Sequence, residues 1–337
     1  MRRVVLFAVI VALFSAVMFP AAAQEEVLTV YSGRSESLIG PILERFTQDT
    51  GIAVEVVYGN TAAIAAQILE EGDNSPADVY INQDAGALGA LAKAGRLAPL
   101  PSDIMERVAN PAYKSADNLW VGLSARARVV VINPEALAAA GLEEPTSLFE
   151  LTTEPWRGKV GWAPTNASLQ AQVTAIRVLL GDEAAEEWLA GMVANEAVAF
   201  EGNTQVVEAV IAGEVPVGLV NHYYLHGFLA EDPSITTYNY HLPAGDVGAL
   251  VNVAGAGVIS SSDQPGLAQR LILYLLGSEA QSYFANETYE YPVAAGVEPS
   301  VEVTPLNEIE IPAIDLSDLD DLATTLEMIA ASGALDG

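Results

Sequence analysis

Tyr223 and Tyr224 are two adjacent phenols whose chemistry suits a metal ion. They stand in the polar stretch at residues 221–227, where such a pair is poor material for a hydrophobic core. A phenolate is an anionic oxygen donor, and hard trivalent cations prefer oxygen ligands. Taken alone, the pair is more often two surface or interface tyrosines. The rest of the chain has to decide between these interpretations.

His222 and His226 offer a second, weaker metal hypothesis. A spacing of four residues would place both on one face of a helix as a zinc pair. Gly227 and the strand predicted before them argue against a helix, and no acidic residue stands between them. A zinc site is therefore the minor alternative.

Arg126 and Arg128 alternate along a predicted strand, so their side chains point to the same side of it. Two interpretations stay open: they line a cleft, or they meet carboxylates of this acidic chain. We expect Tyr289 and Tyr291 to be structural.

The elements that must position these residues alternate between strands and helices. Apolar residues recur at helical spacing between 38 and 46, with Ser35 or Ser37 as candidate cap. This alternation predicts two α/β lobes with mixed, mostly parallel sheets flanked by helices. Leucines from 316 onward predict one final helix that packs back on a lobe. Predicted strands cover residues 27–31, 52–58, 77–81, 128–132, 197–200 and 216–220. Residues 160–162 begin another unit, and residues 249–259 form a further apolar run. Predicted helices cover 62–71, 86–94, 169–180, 204–212 and 266–276.

The first residues have the form of an export signal. Arg2 and Arg3 precede an apolar run at 4–19 and small residues at 21–23. The run is too short for a stable membrane span, so we expect cleavage near Ala23. The residues after Arg3 fit a twin-arginine signal poorly, which favours the general secretory route.

Composition excludes several classes of function. The chain of 337 residues has no cysteine, which excludes thiolate metal sites, disulfides and a lipid-anchored cysteine. Its net charge of −30, with only 14 basic residues, argues against nucleic acid as a partner. The acidity is diffuse and defines no site by itself. An exported protein without an anchor is expected in the periplasm.

Several short motifs together resemble the periplasmic ferric-iron-binding proteins of bacterial iron(III) ABC transporters. The resemblance runs in order along essentially the whole mature chain, and each motif alone is weak. The motifs are residues 28–34 (LTVYSGR), 67–72 (QILEEG), 75–79 (SPADV), 123–131 (LSARARVVV), 162–165 (WAPT), 221–224 (NHYY) and 290–292 (EYP).

The resemblance implies a type II periplasmic-binding-protein fold, with two lobes joined by hinge strands and the ligand in the cleft between them. We expect a signal peptide at 1–23, a first lobe at 24–125 and 256–304, and a second lobe at 126–255 and 305–337. It further implies an iron-transport protein, a monomer without catalytic activity. Such a protein captures Fe(III) as cargo and delivers it to an inner-membrane ABC permease. Lobe closure belongs to that class of proteins.

The resemblance assigns Tyr223 and Tyr224 to the metal. Two strong ligands of the family, a histidine and a glutamate, are replaced here by Ser35 and Gln83. Some members instead hold iron with tyrosines and an anion, and Arg34 matches the arginine that binds their carbonate. No tyrosine stands at Thr165-Asn166, where some of those members have a third one.

An anion, carbonate or phosphate, is therefore expected to complete the iron shell. Arg34 offers a planar fork for it. The family resemblance predicts further anion-binding positions. It also indicates a small set of residues that could line the cleft. The anion-binding set is Arg34, Ser35, Thr165, Asn166, Ala167, Asn203 and Asn221; the possible cleft residues are Gln83, Asp84, Tyr31 and His222, with Tyr58 as a further wall.

Two alternatives stay open at this point. The same fold carries small organic or oxyanion cargoes such as thiamine, a polyamine or a phosphonate, in which case the tyrosines would stack or hydrogen-bond. An exported hydrolase is disfavoured, because the chain has no G-x-S-x-G elbow, no cysteine and only three histidines.

Overall fold

A computed structural model describes residues 27–300 and 303–335. The predicted signal peptide at 1–23 lies outside the described residues. None of the helices formed by the described residues is both long enough and apolar enough to cross a membrane.

Short strands and helices alternate along the chain, as predicted. Within the described ranges the strands are β1 (Val27–Ser32), β2 (Ala53–Tyr58), β3 (Val79–Asn82), β4 (Leu97–Ala98), β5 (Val121–Ile132), β6 (Val160–Trp162), β7 (Val198–Ala199), β8 (Val217–Asn221), β9 (Tyr238–Tyr240), β10 (Val251–Ile259) and β11 (Tyr291–Pro292). The helices are α1 (Glu36–Thr50), α2 (Thr61–Glu71), α3 (Ala85–Lys93), α4 (Ser102–Met105), α5 (Pro134–Ala139), α6 (Ala167–Leu180), α7 (Asp182–Ala194), α8 (Asn203–Ile211), α9 (Tyr223–Glu231), α10 (Pro265–Leu275), α11 (Ser278–Asn286) and α12 (Leu322–Ala331).

The strand β5 joins the two halves of the sheet. The main order is β2-β1-β3-β10-β5-β8-β6-β7, with parallel pairs at both ends and antiparallel pairs around β5 and β10. Residues 121–127 of β5 pair with β10, whereas residues 128–132 pair with β8. One strand therefore passes from the first half into the second. The division into lobes at 126 and 256 stays a prediction.

All twelve residues of β5 are buried. Because successive strand residues point to opposite faces, Ser124, Arg126 and Arg128 share one face, while the apolar residues Leu123 and Ala125 share the other. Ser124, Arg126 and Arg128 thus form a row of polar side chains along a buried strand, and we call them the polar row of β5. The predicted strand at 128–132 covers only its second part.

The prediction that the stretch after β8 is not helical is wrong. The strand ends at Asn221, and α9 begins two residues later at Tyr223. Gly227 is exposed within α9 and costs only about 1 kcal/mol relative to Ala in a helix. Burial of Tyr223, Leu225 and His226 in α9 outweighs that cost.

The C-terminal segment is also different from the prediction of one final helix. It forms a short 3-10 helix at Leu316–Asp320 and then α12. The 3-10 helix packs against α3, and α12 packs against α6. Asp320 forms an ion pair with Lys93 of α3, and the next residue, Asp321, pairs with Arg177 of α6 at 2.8 Å. We call residues 316–331 the C-terminal strap, because it connects a helix of each half.

Close approach of the strap to α3 requires glycine in that helix. A Cβ at Gly86 would collide with the backbone carbonyl oxygen of Leu319, and a Cβ at Gly89 would lie 3.1 Å from Cβ of Asp320. A backbone carbonyl cannot rotate away as a flexible side chain could. The sequence Ala-Gly-Ala-Leu-Gly of α3 therefore has a packing reason.

We expect Gly86→Ala to lower the free energy of unfolding by about 1–3 kcal/mol, through overpacking against the strap. The matched control is Gly266→Ala: both glycines are the second residue of their helix, and a Cβ at Gly266 meets nothing within 4 Å. That control should be neutral or stabilising by up to about 1 kcal/mol. Urea denaturation compares the two, and equal midpoints would contradict the packing argument.

Candidate functional site

Tyr223 lies at the junction between β8 and α9, beyond the carboxyl end of the strand. Its side chain is only 4% exposed, and its oxygen accepts hydrogen bonds from Gln83 Nε2 (3.0 Å) and Asn221 Nδ2 (3.2 Å). Tyr224 is half-buried, and the two ring centroids lie 4.5 Å apart at an interplanar angle of 31°. The chain therefore sets two phenols side by side, with two amide donors directed at one phenolic oxygen.

The environment of Tyr223 keeps the phenol protonated while no metal is bound. Burial raises its pKa well above the ordinary value of 10.0, and the nearby Tyr224 and Glu290 raise it further. Arg126 and Arg34 act in the opposite direction. The two amide donors also favour the phenolate. A highly charged cation would supply the remaining driving force to displace the proton.

Arg34 is held by a carboxylate on the other side of the site. Its guanidinium forms a fully buried ion pair with Glu290 and donates a hydrogen bond to Ser124 Oγ at 3.1 Å. Glu290 also accepts from Ser124 Oγ at 3.0 Å and from Thr288 Oγ1 at 2.8 Å. Burial lowers the pKa of Arg34, but Glu290 outweighs that effect, so the net shift is upward. The sequence predicted Arg34 in this region and missed Glu290 as its partner.

The polar row of β5 runs past Tyr223. Arg128 Nη1 donates to Asn221 Oδ1 at 3.1 Å, and its Nε donates to Gln172 Oε1 at 3.2 Å. Arg126 is 1% exposed, and none of its three guanidinium nitrogens has a hydrogen-bond partner. The alternation of Arg126 and Arg128 was the sequence signal for this row. The sequence left open whether these arginines line a cleft or pair with carboxylates. Among the described residues, neither arginine forms an ion pair with a carboxylate.

Gln83 and Asp84 follow β3 and approach the site from the first half of the sheet. Gln83 contacts Tyr223 through its amide nitrogen, while its Oε1 has no partner. Asp84 caps α3 by accepting from the backbone N–H of Ala87 at 3.3 Å. Burial raises the pKa of Asp84, and the neighbouring Arg126 partly offsets this.

Part of the predicted anion loop is linked to the tyrosine. Asn221 Nδ2 donates to Ser168 Oγ at 2.9 Å, and Asn203 Nδ2 donates to Asn166 Oδ1 at 3.3 Å. Asn166 also caps α6, which begins at Ala167.

Three further members of the predicted sets have hydrogen-bond partners outside this network. Ser35 is exposed and occupies the N-cap position of α1. Its hydroxyl makes no capping hydrogen bond and lies 3.4 Å from the hydroxyl of Ser37. Thr165 is exposed and bonds to the carbonyl oxygen of Glu201 at 3.3 Å. Tyr31 is buried, with hydrogen bonds from its hydroxyl to Glu71 (3.0 Å) and from Gln67 (3.1 Å), both on α2.

His222 is occupied by the protein itself. Its Nδ1 accepts from the backbone N–H of Ala127 at 3.2 Å, and its Nε2 donates to the carbonyl of Tyr289 at 2.8 Å. Its ring stacks on Tyr291 at a centroid distance of 4.6 Å, and burial lowers its pKa to about 3. His222 therefore stays neutral and orients the α9 start. Among residues 27–300 and 303–335, no group of three His, Cys, Asp or Glu could hold a metal ion, which leaves the zinc alternative without support.

The chain is similar in sequence and in fold to known proteins. The model of a family described as bacterial extracellular solute-binding protein matches residues 42–311. The Fe(3+)-binding periplasmic protein of Serratia marcescens is 32% identical over 94% of this chain and 93% of its own length. An iron-bound structure of HitA from Pseudomonas aeruginosa is 32% identical, covers 91% of this chain and 99% of its own, and has a TM-score of 0.86. A Trichodesmium protein in complex with iron and citrate is 29% identical over 91% of this chain and 99% of its own, with a TM-score of 0.74.

The fold is that of the two-lobed type II periplasmic binding proteins, as predicted. This chain belongs to the bacterial extracellular solute-binding protein family. Within that family, the predicted resemblance to the periplasmic ferric-iron-binding proteins is confirmed.

The buried ion pair of Arg34 and Glu290 should be essential for stability. We expect Glu290→Ala to lower the free energy of unfolding by about 3–5 kcal/mol, because it leaves a buried guanidinium unpaired. The control is Glu287→Ala, which removes the half-exposed pair with Arg45 at 2.8 Å and should cost less than about 1 kcal/mol. Guanidinium denaturation of both variants measures this, and a similar loss in both would contradict a special role for Glu290.

Proposed function

We propose that this protein is an exported solute-binding protein that captures Fe(III) through Tyr223 and Tyr224 and delivers it to an inner-membrane ABC permease. The observation that carries the proposal is the pair of phenols beyond the end of β8, with Gln83 and Asn221 directed at one phenolic oxygen. Binding sites of open α/β sheets lie beyond the carboxyl ends of strands. The relatives named for binding ferric iron support this cargo, and the one from Serratia marcescens, named as periplasmic, supports the periplasm for this chain.

The protein acts by binding and release, without a catalytic cycle. Gln83 comes from the end of β3, while Tyr223 comes from the end of β8, so the site is completed from both halves of the sheet. Iron would therefore favour a closed arrangement over an open one. The lobe boundaries predicted from the sequence belong to this proposal, as does a monomeric state.

An anion completes the iron shell in this proposal. Two phenolates leave several positions of a six-coordinate ion unfilled, and Gln83 offers only a neutral amide. Carbonate or phosphate would add hard oxygen ligands and negative charge. The related Trichodesmium structure holds iron together with citrate, which supports an organic or inorganic oxyanion as co-ligand.

Loading with Fe(III) and bicarbonate should colour the protein at a ratio of one iron per chain. Phenolate-to-iron charge transfer absorbs visible light, and Tyr223→Phe/Tyr224→Phe removes only the two oxygens. We expect this double variant to fold and to lose both the band and the bound iron.

The matched control for that variant is Tyr274→Phe. It also removes a phenol, one that donates to Asp49 at 2.7 Å on the surface of α10. It should keep the visible band. A colourless wild-type protein, or a double Phe variant that stays coloured, would rule out the tyrosines as iron ligands.

Acidification should release the iron. The pKa of Tyr223 lies above 10 without metal, so at pH 5 to 8 the phenol is protonated and iron must expel that proton. Affinity therefore falls as pH falls, at least about tenfold per pH unit for one displaced proton. Competition with a chelator of known protonation, between pH 5 and pH 7, measures the slope. His222 contributes nothing to it, since its pKa of about 3 lies below that range. An affinity that is constant with pH would exclude phenolate ligation.

A further inference from the structure

Arg126 differs from the two other buried arginines of the site. Arg34 is paired with Glu290, and Arg128 donates to Asn221 and Gln172. The side chain of Arg126 is equally buried, yet Nε, Nη1 and Nη2 all lack a hydrogen-bond partner. Burying a guanidinium without hydrogen-bond partners costs much free energy. The site therefore suits a ligand that accepts hydrogen bonds from these N–H groups.

No carboxylate among the described residues pairs with Arg126. The Glu290 carboxylate accepts from Arg34, Ser124 and Thr288. Asp84 accepts from the backbone of Ala87 at the start of α3. Both acids are near enough to raise the pKa of Arg126, but burial dominates and the net shift is downward. Electrostatic compensation of Arg126 by the protein is therefore incomplete.

Further unpaired donors belong to the neighbouring strand β10, to β5 itself and to α6. Asn252 of β10 is the direct partner of Arg126 in the antiparallel pair, so the two side chains share one face of the sheet. Asn252 Nδ2 has no partner, and neither have Arg128 Nη2 and Gln172 Nε2. Several N–H groups thus accompany the cationic fork, which is the composition of an oxyanion site.

The charge of the site points the same way. Three buried guanidinium groups, Arg34, Arg126 and Arg128, face two buried carboxylates, Asp84 and Glu290. The surplus is at least one positive charge, and burial of the cations in low dielectric makes it costly. Fe(III) with two phenolates would add one more positive charge. A dianion beside Arg126 would neutralise both.

We propose that Arg126, and not Arg34, holds the oxyanion that accompanies the iron. The inference rests on the proposed function and assigns the anion site within it. The planar guanidinium fits an anion that presents two coplanar oxygens, such as carbonate or the carboxylate of an organic acid. Arg34 then has a different role, because it fixes Glu290 and Ser124 and so the wall of the site. It was the sequence-predicted holder of the anion, and Glu290 competes with any anion for it.

The test compares Arg126→Gln, Arg126→Lys and Arg34→Gln in iron titrations followed by the charge-transfer band, at increasing bicarbonate from bicarbonate-free buffer. The half-saturating bicarbonate concentration should rise about 10- to 100-fold in Arg126→Gln, the effect of losing a hydrogen bond to a charged group. Arg126→Lys keeps the charge but loses the fork, and should lie between it and the wild type. Parallel titrations with phosphate and citrate identify the preferred anion.

A second readout, thermal unfolding of the iron-free proteins, separates an anion-binding role from a structural one. Arg126→Gln removes an unpaired charge, so its Tm should equal or exceed that of the wild type. Arg34→Gln leaves the buried Glu290 without its cation and should lower Tm clearly. If Arg126→Gln does not fold, Arg126→Lys replaces it in the comparison with Arg34→Gln. Because Lys keeps the charge, its Tm should stay near that of the wild type.

Two results would overturn the inference alone: a coloured wild type whose bicarbonate dependence is unchanged in both Arg126 variants, or a Tm of iron-free Arg126→Gln as low as that of Arg34→Gln. A wild type that binds no iron with bicarbonate, phosphate or citrate would overturn the proposed function and this inference together.

Discussion

Burial of positive charge around Tyr223 is the constraint on which the rest of the site depends. Arg34, Arg126 and Arg128 are all withdrawn from water, and each must be compensated locally. The protein itself compensates two of the three. Glu290 neutralises Arg34, the amides of Asn221 and Gln172 orient Arg128, and Arg126 keeps its donors unassigned. Arg34 and Arg128 are thus fixed by protein partners and form the framework of the site, whereas Arg126 has donors that a ligand could use.

The strand β5 explains how such a cluster can exist inside a core. Its alternating pattern places apolar residues on one face of the strand and the polar row on the other. The strand also changes partner, from β10 to β8, between Ala127 and Arg128. Arg126 and Arg128 therefore stand on either side of this change. The two arginines are thus carried by the element that joins the two halves of the sheet.

Much of the architecture could be predicted from the sequence, because strand and helix periodicity is local. The tyrosine pair was recognisable from its residue types, and its position after β8 followed from the apolar run before it. The start of α9 at Tyr223 was not predicted, since His222, Gly227 and adjacent polar residues are weak local signals. Its stability comes from tertiary contacts: His222 bonds to Ala127 and Tyr289, which are distant in sequence.

The partner of Arg34 could not be predicted either, because this contact also joins residues that are distant in sequence. Glu290 lies 256 residues away in sequence, and nothing local distinguishes it from the other acidic residues of a chain with net charge −30. Ser35 and Thr165 stay predicted members of the anion loop. Both are exposed, Ser35 as the N-cap of α1 and Thr165 two residues before α6. Side-chain direction around a cap depends on φ and ψ angles that residue type alone does not fix.

The C-terminal strap bears on how the two halves can move. Asp320 and Asp321 are neighbours in the chain, yet one pairs with Lys93 on α3 and the other with Arg177 on α6. The halves are therefore attached at a second place, in addition to the strands that run between them. Two bodies joined at two places lose most of their independent translations and rotations, and keep mainly a swing about the line through both attachments. In the closure proposed above, this second attachment would leave the halves a single path, so that Gln83 would meet Tyr223 in the same alignment each time.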